Sequence, residues 1–216
     1  MKTISNEEAF KYGPNDVNIP LDMGQHDFQF TRWWFQKKNQ RTWSTYVKPM
    51  FDTSKPIYAI QIGVFEFYDA AWLMQQILLH PASKLIGIDP WEPTKKLTFH
   101  EYMDGCEGRA IRNASVFGDK VELQKGRSQD ILPTLPEDTF DLVVIDGDHS
   151  SASVCSDAKN SLRLLKRGGF IVFDDARSNV LRRNAVPRGI EMFLEEHEKD
   201  VELLWQHRYA DCYAKL

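Results

Sequence analysis

From Lys55 onward, short apolar runs alternate with segments in which apolar residues recur at helical spacing. The short runs predict strands because turn residues bound them, whereas the longer periodic segments predict helices. The predicted strands cover residues 57–63, 84–89, 120–126, 140–146, 170–175, 201–206 and 209–215. The predicted helices cover residues 68–80, 97–115, 128–132, 151–166 and 188–198. Gly168-Gly169 is interpreted as the C-terminal cap of helix 151–166.

The order of these elements predicts the fold. Five strands that alternate with helices are typical of a parallel sheet with helices on both faces. Only His207 and Arg208 separate the last two strands, so those strands must pair as an antiparallel hairpin. The expected class is α/β: a mostly parallel sheet that ends in an antiparallel hairpin. Ligands of such sheets bind at the carboxyl ends of the strands, so function is expected at that edge.

The first quarter of the chain has a different pattern. Residues 1–25 are mostly polar and predict an irregular arm. Residues 28–51 are dense in aromatic and cationic side chains and predict one or two short helices that end near Pro49. Their tryptophans favour a hydrophobic flap on the main domain, with a lid over a ligand or an interface between copies of the chain as alternatives. We therefore divide the chain into an arm with an aromatic lid, residues 1–54, and a main domain, residues 55–216.

The composition is that of a soluble globular protein, with 42% hydrophobic and 27% charged residues. A formal charge of −4 and a sequence pI near 5.9 argue against nucleic-acid and membrane-surface partners. No apolar run is long enough to cross a bilayer, and the start of the chain lacks the apolar core of a signal peptide. The three cysteines have no CxxC spacing and are expected to be buried, reduced thiols of a cytoplasmic protein, with a catalytic cysteine as the less favoured alternative.

Residues suited to a nucleoside ligand stand at the ends of the first three predicted strands. The first strand ends at Gly63, in a tight turn that leads into a helix and presents backbone N–H groups to a ligand. The second ends at Asp89, an acid that can accept hydrogen bonds from both hydroxyls of a ribose. The third ends near Arg127 and Ser128. An Asp-Pro pair is also a common turn, so Asp89 gains weight only together with Gly63.

A second polar group follows the fourth and fifth strands and comprises Asp146, Asp148, His149, Asp174 and Asp175. These strands should be neighbours, and carboxylates gathered at their ends repel one another unless a cation or protons compensate. Oxygen ligands of this kind suit Mg²⁺ or another divalent cation. Asp148 or Ser150 is instead expected to cap the following helix. His149 is a candidate general base beside the cation site.

The loop after the acidic pair contains four arginines: Arg177, Arg182, Arg183 and Arg188. A solvated loop is the slightly favoured interpretation. The alternative is a clamp for an anionic small-molecule substrate, because guanidinium groups match carboxylate and phosphate geometry.

These residues, in this order, resemble the class I S-adenosylmethionine-dependent methyltransferases. Most closely they resemble the group that includes macrocin-type sugar O-methyltransferases and cephalosporin-hydroxylase-like proteins. The resemblance extends from about Trp33 to Leu216 and is most specific in IDGDHS followed by GGFIVFDD, within residues 140–175. It also rests on IQIGVFEFYDAAWL (60–73), KLIGIDPWE (84–92), KGRSQDILPTL (125–135) and GIEMFLEEHEKDVELL (189–204).

The resemblance implies a Rossmann-like seven-stranded sheet whose last strand is inserted antiparallel, and S-adenosylmethionine as the cofactor. Asp89 would hold the ribose hydroxyls, and Arg127 and Ser128 would lie near the adenine. The residues implied around the methionine part of the cofactor are Gln61, Gly63, Phe65, Glu66 and Phe67, with Asp146 close by.

The resemblance also implies a metal and a base. In the metal-dependent members, acids at the positions of Asp146, Asp174 and Asp175 bind Mg²⁺. The histidine at the position of His149 removes the proton of a substrate hydroxyl. Both roles suit transfer of a methyl group to oxygen, because the cation lowers the pKa of the hydroxyl and the base takes its proton.

The chain departs from these relatives in the first motif, where they usually read E-I-G-x-x-x-G. Gln61 replaces the acid, and Glu66 could supply the lost charge. Phe67 replaces the last glycine, and its ring could occupy cofactor space and disfavours the positive φ that glycine permits. Asp69, where relatives often have a small hydroxyl residue, is expected to cap helix 70–80. We expect the cofactor to bind nevertheless, in an adjusted pose.

The sequence therefore favours a methyltransferase that acts on a hydroxyl of a small molecule with the help of a divalent metal. The main alternative is a non-catalytic methyltransferase-like binding or scaffold protein, which Gln61 and Phe67 favour. A nicotinamide-dependent oxidoreductase ranks last, because the chain has no complete GxGxxG and the acidic cluster would be unexplained.

Overall fold

The computed structural model places most of the predicted elements in one sheet with helices around it. The described residues are 20–24, 26–32, 35, 37–92, 103–176, 185–207 and 209–216.

The strands form a seven-stranded sheet in the order β3-β2-β1-β4-β5-β7-β6. The first five are parallel to one another, and β7 pairs antiparallel with both β5 and β6. The predicted parallel sheet with an inserted antiparallel last strand is confirmed. The strands are β1 (Tyr58–Ile62), β2 (Lys84–Asp89), β3 (Val121–Lys125), β4 (Phe140–Ile145), β5 (Leu165–Asp174), β6 (Val201–Gln206) and β7 (Ala210–Lys215).

The helices cover both faces of this sheet, as the alternating pattern predicts. Successive residues of a strand point to opposite faces, so each buried strand contributes to two cores. In β1, Ala59 packs in the core under α2, whereas Ile60 and Ile62 pack in the core under α5 and α6. The helices are α1 (Lys37–Thr42), α2 (Tyr68–Gln76), α3 (Cys106–Ser115), α4 (Ser128–Ile131), α5 (Ser151–Leu164) and α6 (Ala185–His197).

Helices α5 and α6 pack closely against each other. A Cβ atom at Gly189 of α6 would lie 2.6 Å from Val154 Cβ and 2.8 Å from Ser151 O of α5, so only glycine fits there. Lys159 and Glu196 add an ion pair of 2.7 Å between the two helices. These two helices share one hydrophobic core with β4 and β5.

The boundary between α5 and β5 differs from the prediction. Gly168 and Gly169 do not cap the helix, which ends at Leu164; they lie inside β5, which begins at Leu165. Leu165 already pairs with Phe140 of β4, and the register shifts before the next pair. Pairing with β4 therefore determines where the strand begins, and the local glycine signal does not.

The aromatic N-terminal segment packs on the outer side of α2. Residues 37–50 are continuously helical, through α1, a π-helical turn and a 3₁₀ turn, which agrees with the short helices predicted to end near Pro49. Trp43 is 1% exposed, and its ring centroid lies 6.0 Å from that of Trp72 in α2. Phe30 stacks on Tyr68 at 4.5 Å. These contacts are those of a hydrophobic flap; Trp33 and Trp34 lie outside the described residues.

The cysteines are free and buried, as expected: Cys106, Cys155 and Cys212. Burial, and then the nearby charges of Asp89 and Glu66, raise the pKa of Cys106 to about 12. A thiol with such a pKa stays protonated and is a poor nucleophile. Among the described residues, every helix is too short or too polar to traverse a lipid bilayer.

Candidate active site

The carboxyl ends of β1, β2 and β4 are tied together by their backbones. Gly63 N donates to Ile88 O at 2.8 Å, and Asp146 N donates to Ile62 O at 2.9 Å. Gly63 has a φ of 82°, and a Cβ atom there would lie 2.1 Å from Asp146 O. The site therefore requires glycine at this position both for the backbone conformation and for the close passage of the chain after β4.

The loops after β1, β2 and β5 hold four non-glycine residues in the left-handed region. The φ angles are 43° for Phe65 and 73° for Phe67 after β1, 44° for Trp91 after β2 and 51° for Asp175 after β5. Such conformations cost of order 1–3 kcal/mol each and persist where the surroundings fix them. Trp91 Nε1 donates to Phe65 O at 2.8 Å, so the first two loops fix each other.

Asp89 joins the same two loops. Its Oδ2 accepts the N–H of Phe65 at 2.9 Å, and its Oδ1 accepts the N–H of Trp91 at 2.8 Å. Burial raises the pKa of Asp89, and these backbone hydrogen bonds oppose the rise. Each carboxylate oxygen keeps a second lone pair. The arrangement fixes the carboxylate at the end of β2.

Phe67, the departure from the first motif, lies in the core. Its φ is 73°, so the backbone adopts the left-handed conformation that a glycine would provide. The residue is 0% exposed, and its ring lies 6.0 Å from that of Phe117. The side chain packs in the apolar cluster under α2 and α3, and a place for Phe67 beside the cofactor stays a prediction.

His149 lies between two acids at the ends of β4 and β5. Its Nε2 is 3.4 Å from Asp146 Oδ1 and 3.6 Å from Asp175 Oδ2, and it makes no hydrogen bond. The side chain as a whole is 24% exposed, whereas the Nε2 atom is buried. A neutral imidazole placed this way can take a proton, and the flanking carboxylates stabilise the imidazolium that results.

Burial raises the pKa of each carboxyl group in this cluster, and neighbouring carboxylates add to the rise for Asp146 and Asp174. Burial is the main reason that the pKa of Asp146 lies well above its usual value, and the charges of Asp69, Asp175 and Asp89 add to it. Burial and then Asp146 and Asp175 do the same for Asp174. Burial raises the pKa of Asp175, while His149 lowers it. The site therefore favours a positive charge, from a proton or a cation.

A match to a protein-family model identifies the family of the chain. A family model described as a methyltransferase domain matches residues 60–176, which is more than half of the chain and includes the strand ends of β1, β2, β4 and β5. The chain belongs to the methyltransferase-domain family. The resemblance to methyltransferases is thereby confirmed, while the narrower likeness to the macrocin-type group stays a prediction.

Relatives of this methyltransferase domain include an uncharacterised protein of Acanthamoeba polyphaga mimivirus. The two are 32% identical over 124 residues, 54% of this chain and 50% of that protein, so the match spans half of the curated relative. TomG, an O-methyltransferase from Streptomyces achromogenes solved in complex with SAM, has a TM-score of 0.53 at 23% identity, covering 77% of this chain and 76% of that one. The O-methyltransferase NovP has a TM-score of 0.60 at 18% identity, covering 78% and 77%. At these identities the structural likeness establishes the fold.

Glu66, which was predicted beside the methionine part of the cofactor, contacts the N-terminal segment and α3. Its carboxylate accepts hydrogen bonds from Thr31 N and Thr31 Oγ1, both at 2.6 Å, and from Arg109 Nε at 2.5 Å. The side chain is fully buried. Glu66 thus ties the N-terminal segment and α3 to the turn of the methyltransferase domain. Both of its oxygens are already bound, and a role for its charge near the cofactor stays a prediction.

Arg127 and Ser128 lie at the end of β3, as predicted, and each contacts an acidic side chain of another element. Arg127 is largely exposed and forms an ion pair of 3.2 Å with Glu92, which lies in the loop after β2. Ser128 is buried, and its Oγ donates to Asp157 Oδ1 of α5 at 2.6 Å. Burial is the main cause that raises the pKa of Asp157 to about 6. Asp157 was not expected at the site, because an acid in the middle of an amphipathic helix gives no sequence signal.

Two further expectations concern capping. Ser150 caps α5, accepting the N–H of Ser153 at 3.3 Å, and Asp148 accepts the Ser150 hydroxyl at 2.9 Å. Asp69 does not cap α2: the helix begins at Tyr68, and Phe67 occupies the cap position without a side-chain hydrogen bond. The Asp69 carboxylate instead accepts from Gln61 Nε2.

The arginine loop is described only at its end. Arg177, Arg182 and Arg183 lie outside the described residues. Arg188 belongs to α6 and pairs with Glu191 at 3.2 Å and Glu195 at 3.1 Å, on the exposed side of that helix. A substrate clamp therefore has no support from Arg188.

The charge of Asp146, Asp174 and Asp175 suits the predicted Mg²⁺, but their positions suit it less. Asp174 Oδ1 is buried and has no hydrogen-bond partner, a deficit that a cation would relieve. Among the described residues, however, no three His, Cys, Asp or Glu side chains form a group that could hold a metal ion. A cation there would require these side chains to turn toward a common point, so the Mg²⁺ site stays a prediction.

Replacing Phe67 by glycine tests its place in the core. We expect Phe67→Gly to lower the free energy of unfolding by roughly 3 kcal/mol, because the lost ring outweighs the relieved backbone strain. Cofactor affinity should not improve. Urea unfolding and calorimetric titration with S-adenosylhomocysteine measure the two effects, and Phe67→Leu, which keeps an apolar side chain, is the control. Tighter cofactor binding in the glycine variant would show that the ring does intrude on the cofactor.

Proposed function

We propose that the protein transfers the methyl group of S-adenosylmethionine to a hydroxyl oxygen of a small molecule. The observation that supports this most is His149, whose Nε2 has no hydrogen-bond partner and lies at the same sheet edge as Gly63 and Asp89. A nucleoside site and a general base on adjoining strand ends are what transfer from a sulfonium to a hydroxyl requires.

Methyl transfer then proceeds in one displacement. The acceptor oxygen attacks the methyl carbon, an O–C bond forms as the C–S bond breaks, and the bonding electron pair passes to sulfur. S-Adenosylhomocysteine leaves as a neutral thioether. The hydroxyl proton passes to His149 Nε2, and Asp146 and Asp175, at 3.4 and 3.6 Å, stabilise the imidazolium.

Binding residues follow from the same geometry. Asp89, held by the N–H groups of Phe65 and Trp91, accepts the two ribose hydroxyls. Gly63 lets the end of β1 lie close to the backbone after β4, and the turn that it begins faces the methionine part. The Ser128–Asp157 pair lies at the end of β3, on the side proposed for the adenine.

A divalent cation is the less supported part of the proposal. Bound among Asp146, Asp174 and Asp175, it would neutralise their charge and lower the pKa of the acceptor hydroxyl. The repulsion among these carboxylates and the unpaired Asp174 Oδ1 support it. The proton transfer to His149 needs no cation.

Calorimetric titration of the purified protein with S-adenosylmethionine and with S-adenosylhomocysteine tests the proposal. Each titration is run with Mg²⁺ and with a chelator. We expect micromolar affinity for both ligands, because the Phe67 side chain packs in the core. Tighter binding with Mg²⁺ would support the cation. Absence of binding under every condition would overturn the proposal and favour the non-catalytic alternative.

A further inference from the structure

Gln61, which is buried, and Asp69, which is partly buried, form a hydrogen-bonded pair at the end of β1. Gln61 is the fourth residue of β1 and lies on the same face as Ala59, which α2 covers. Its Nε2 donates to Asp69 Oδ2 in the first turn of α2 and, at 3.4 Å, to Gly63 O. Its Oε1 is buried and has no hydrogen-bond partner. An acceptor left in this state in the interior costs free energy unless a ligand donor reaches it.

Asp69 has no basic partner in the part of the chain that the structure describes. Its other contact is Ala70 N, which donates to Oδ1 at 3.0 Å. Burial, and then the charge of Asp89, raise its pKa to about 7. A carboxylate beside a second acceptor, with no cation near, is an environment that favours a positively charged donor.

The pair stands at the end of β1, beside Gly63, and this position identifies the ligand group. If Asp89 after β2 holds the ribose, the amino-acid end of the cofactor lies toward β1. That end carries a primary ammonium with three N–H donors. The acceptors gathered here are the Asp69 carboxylate, Gln61 Oε1 and Gly63 O, which match an ammonium in number and charge.

We propose that Asp69, held by Gln61, binds the ammonium group of the cofactor's methionine part. The proposal rests on the proposed function. It assigns the negative charge at the end of β1 to a residue of α2, in a chain whose strand carries an uncharged Gln61. The charge lost at position 61 is thus supplied from the helix that faces it.

Asp69→Asn tests this assignment, because it keeps the shape and removes the charge. We expect its affinity for S-adenosylhomocysteine to fall roughly 10- to 100-fold, the loss typical of a charge-assisted hydrogen bond. Affinity for 5′-methylthioadenosine, which lacks the ammonium, should be unchanged. Titrations are run at pH 8, above the pKa of Asp69, and thermal unfolding checks that the variant folds.

The double variant Gln61→Glu/Asp69→Asn is the matched control. It keeps one acid and one amide in contact but exchanges their positions, and we expect it to recover most of the affinity for S-adenosylhomocysteine. If Asp69→Asn does not fold, the double variant alone decides: near-wild-type affinity supports the proposal, and affinity lost by more than about 10-fold overturns it.

The remaining outcomes separate this inference from the proposed function. Wild-type protein that binds S-adenosylhomocysteine, with an equally tight Asp69→Asn variant, would overturn the role of Asp69 and leave the methyltransferase proposal standing. A loss confined to S-adenosylmethionine would assign Asp69 to the sulfonium and overturn the ammonium assignment. Wild-type protein that binds neither ligand would overturn both proposals.

Discussion

Replacement of His149 by alanine is expected to reduce the turnover number about 10²- to 10⁴-fold, the usual contribution of a general base. Nε2 lies between Asp146 and Asp175 without a hydrogen bond, so its loss removes the proton acceptor and little else. Affinity for S-adenosylhomocysteine should change less than about threefold, because the proposed nucleoside contacts come from β1 and β2. Methyl transfer measured with a saturating acceptor, beside calorimetric titration, separates the two effects.

The matched control for this variant is His197→Ala. His197 Nδ1 also contacts an acid, Asp200 at 2.8 Å, but at the C-terminal end of α6. Turnover in that variant should equal that of the wild type. Added imidazole should restore part of the activity of His149→Ala, since the side chain that it replaces is partly exposed. Undiminished turnover in His149→Ala would end the general-base proposal.

The sheet could be predicted because its signals are local. Strands β2 and β6 have the predicted bounds, since their apolar runs end at turn residues that also end the pairing. Strand β5 begins five residues before the prediction, at Leu165 rather than at Phe170. The residues after Leu165 are Lys166, Arg167, Gly168 and Gly169, and lysine and glycine have low strand propensity. Only pairing with Phe140 places Leu165 in the sheet.

The site residues also fall into those that the sequence could place and those that it could not. Gly63, Asp89, Asp146 and His149 lie at strand ends, where topology alone brings them to one edge. Glu66 and Asp69 could not be placed from the sequence, because their partners depend on which way a side chain points from the turn. Glu66 contacts residues 35 and 43 positions away along the chain.

The structure also weakens one argument for a non-catalytic protein. Gln61 and Phe67 were the sequence features that favoured it. The Phe67 ring is in the core, and its backbone keeps the left-handed conformation of the missing glycine. Gln61 has Asp69 as a charged neighbour. Each departure is accompanied by a contact that preserves the shape or the charge of the turn.

Replacement of Gly63 by alanine is expected to have the largest effect on both folding and binding. A Cβ atom there would lie 2.1 Å from Asp146 O and 2.8 Å from Gly147 Cα, and both atoms belong to the backbone. The ends of β1 and β4 would have to separate, which breaks the hydrogen bond from Asp146 N to Ile62 O. We expect the free energy of unfolding to fall by more than about 2 kcal/mol, the upper cost of a left-handed alanine alone. Binding of S-adenosylhomocysteine should be lost.

Gly168→Ala separates the two causes of that loss. Gly168 has a φ of 77°, close to the 82° of Gly63, but a Cβ atom there would meet nothing within 4 Å. Its variant therefore carries the conformational cost of about 1–2 kcal/mol without the steric overlap. Urea unfolding measures the free energy of unfolding of both variants, and the difference between their losses is the cost of the steric overlap at Gly63. Equal destabilisation, with cofactor binding retained in Gly63→Ala, would show that the contact between the ends of β1 and β4 does not shape the site.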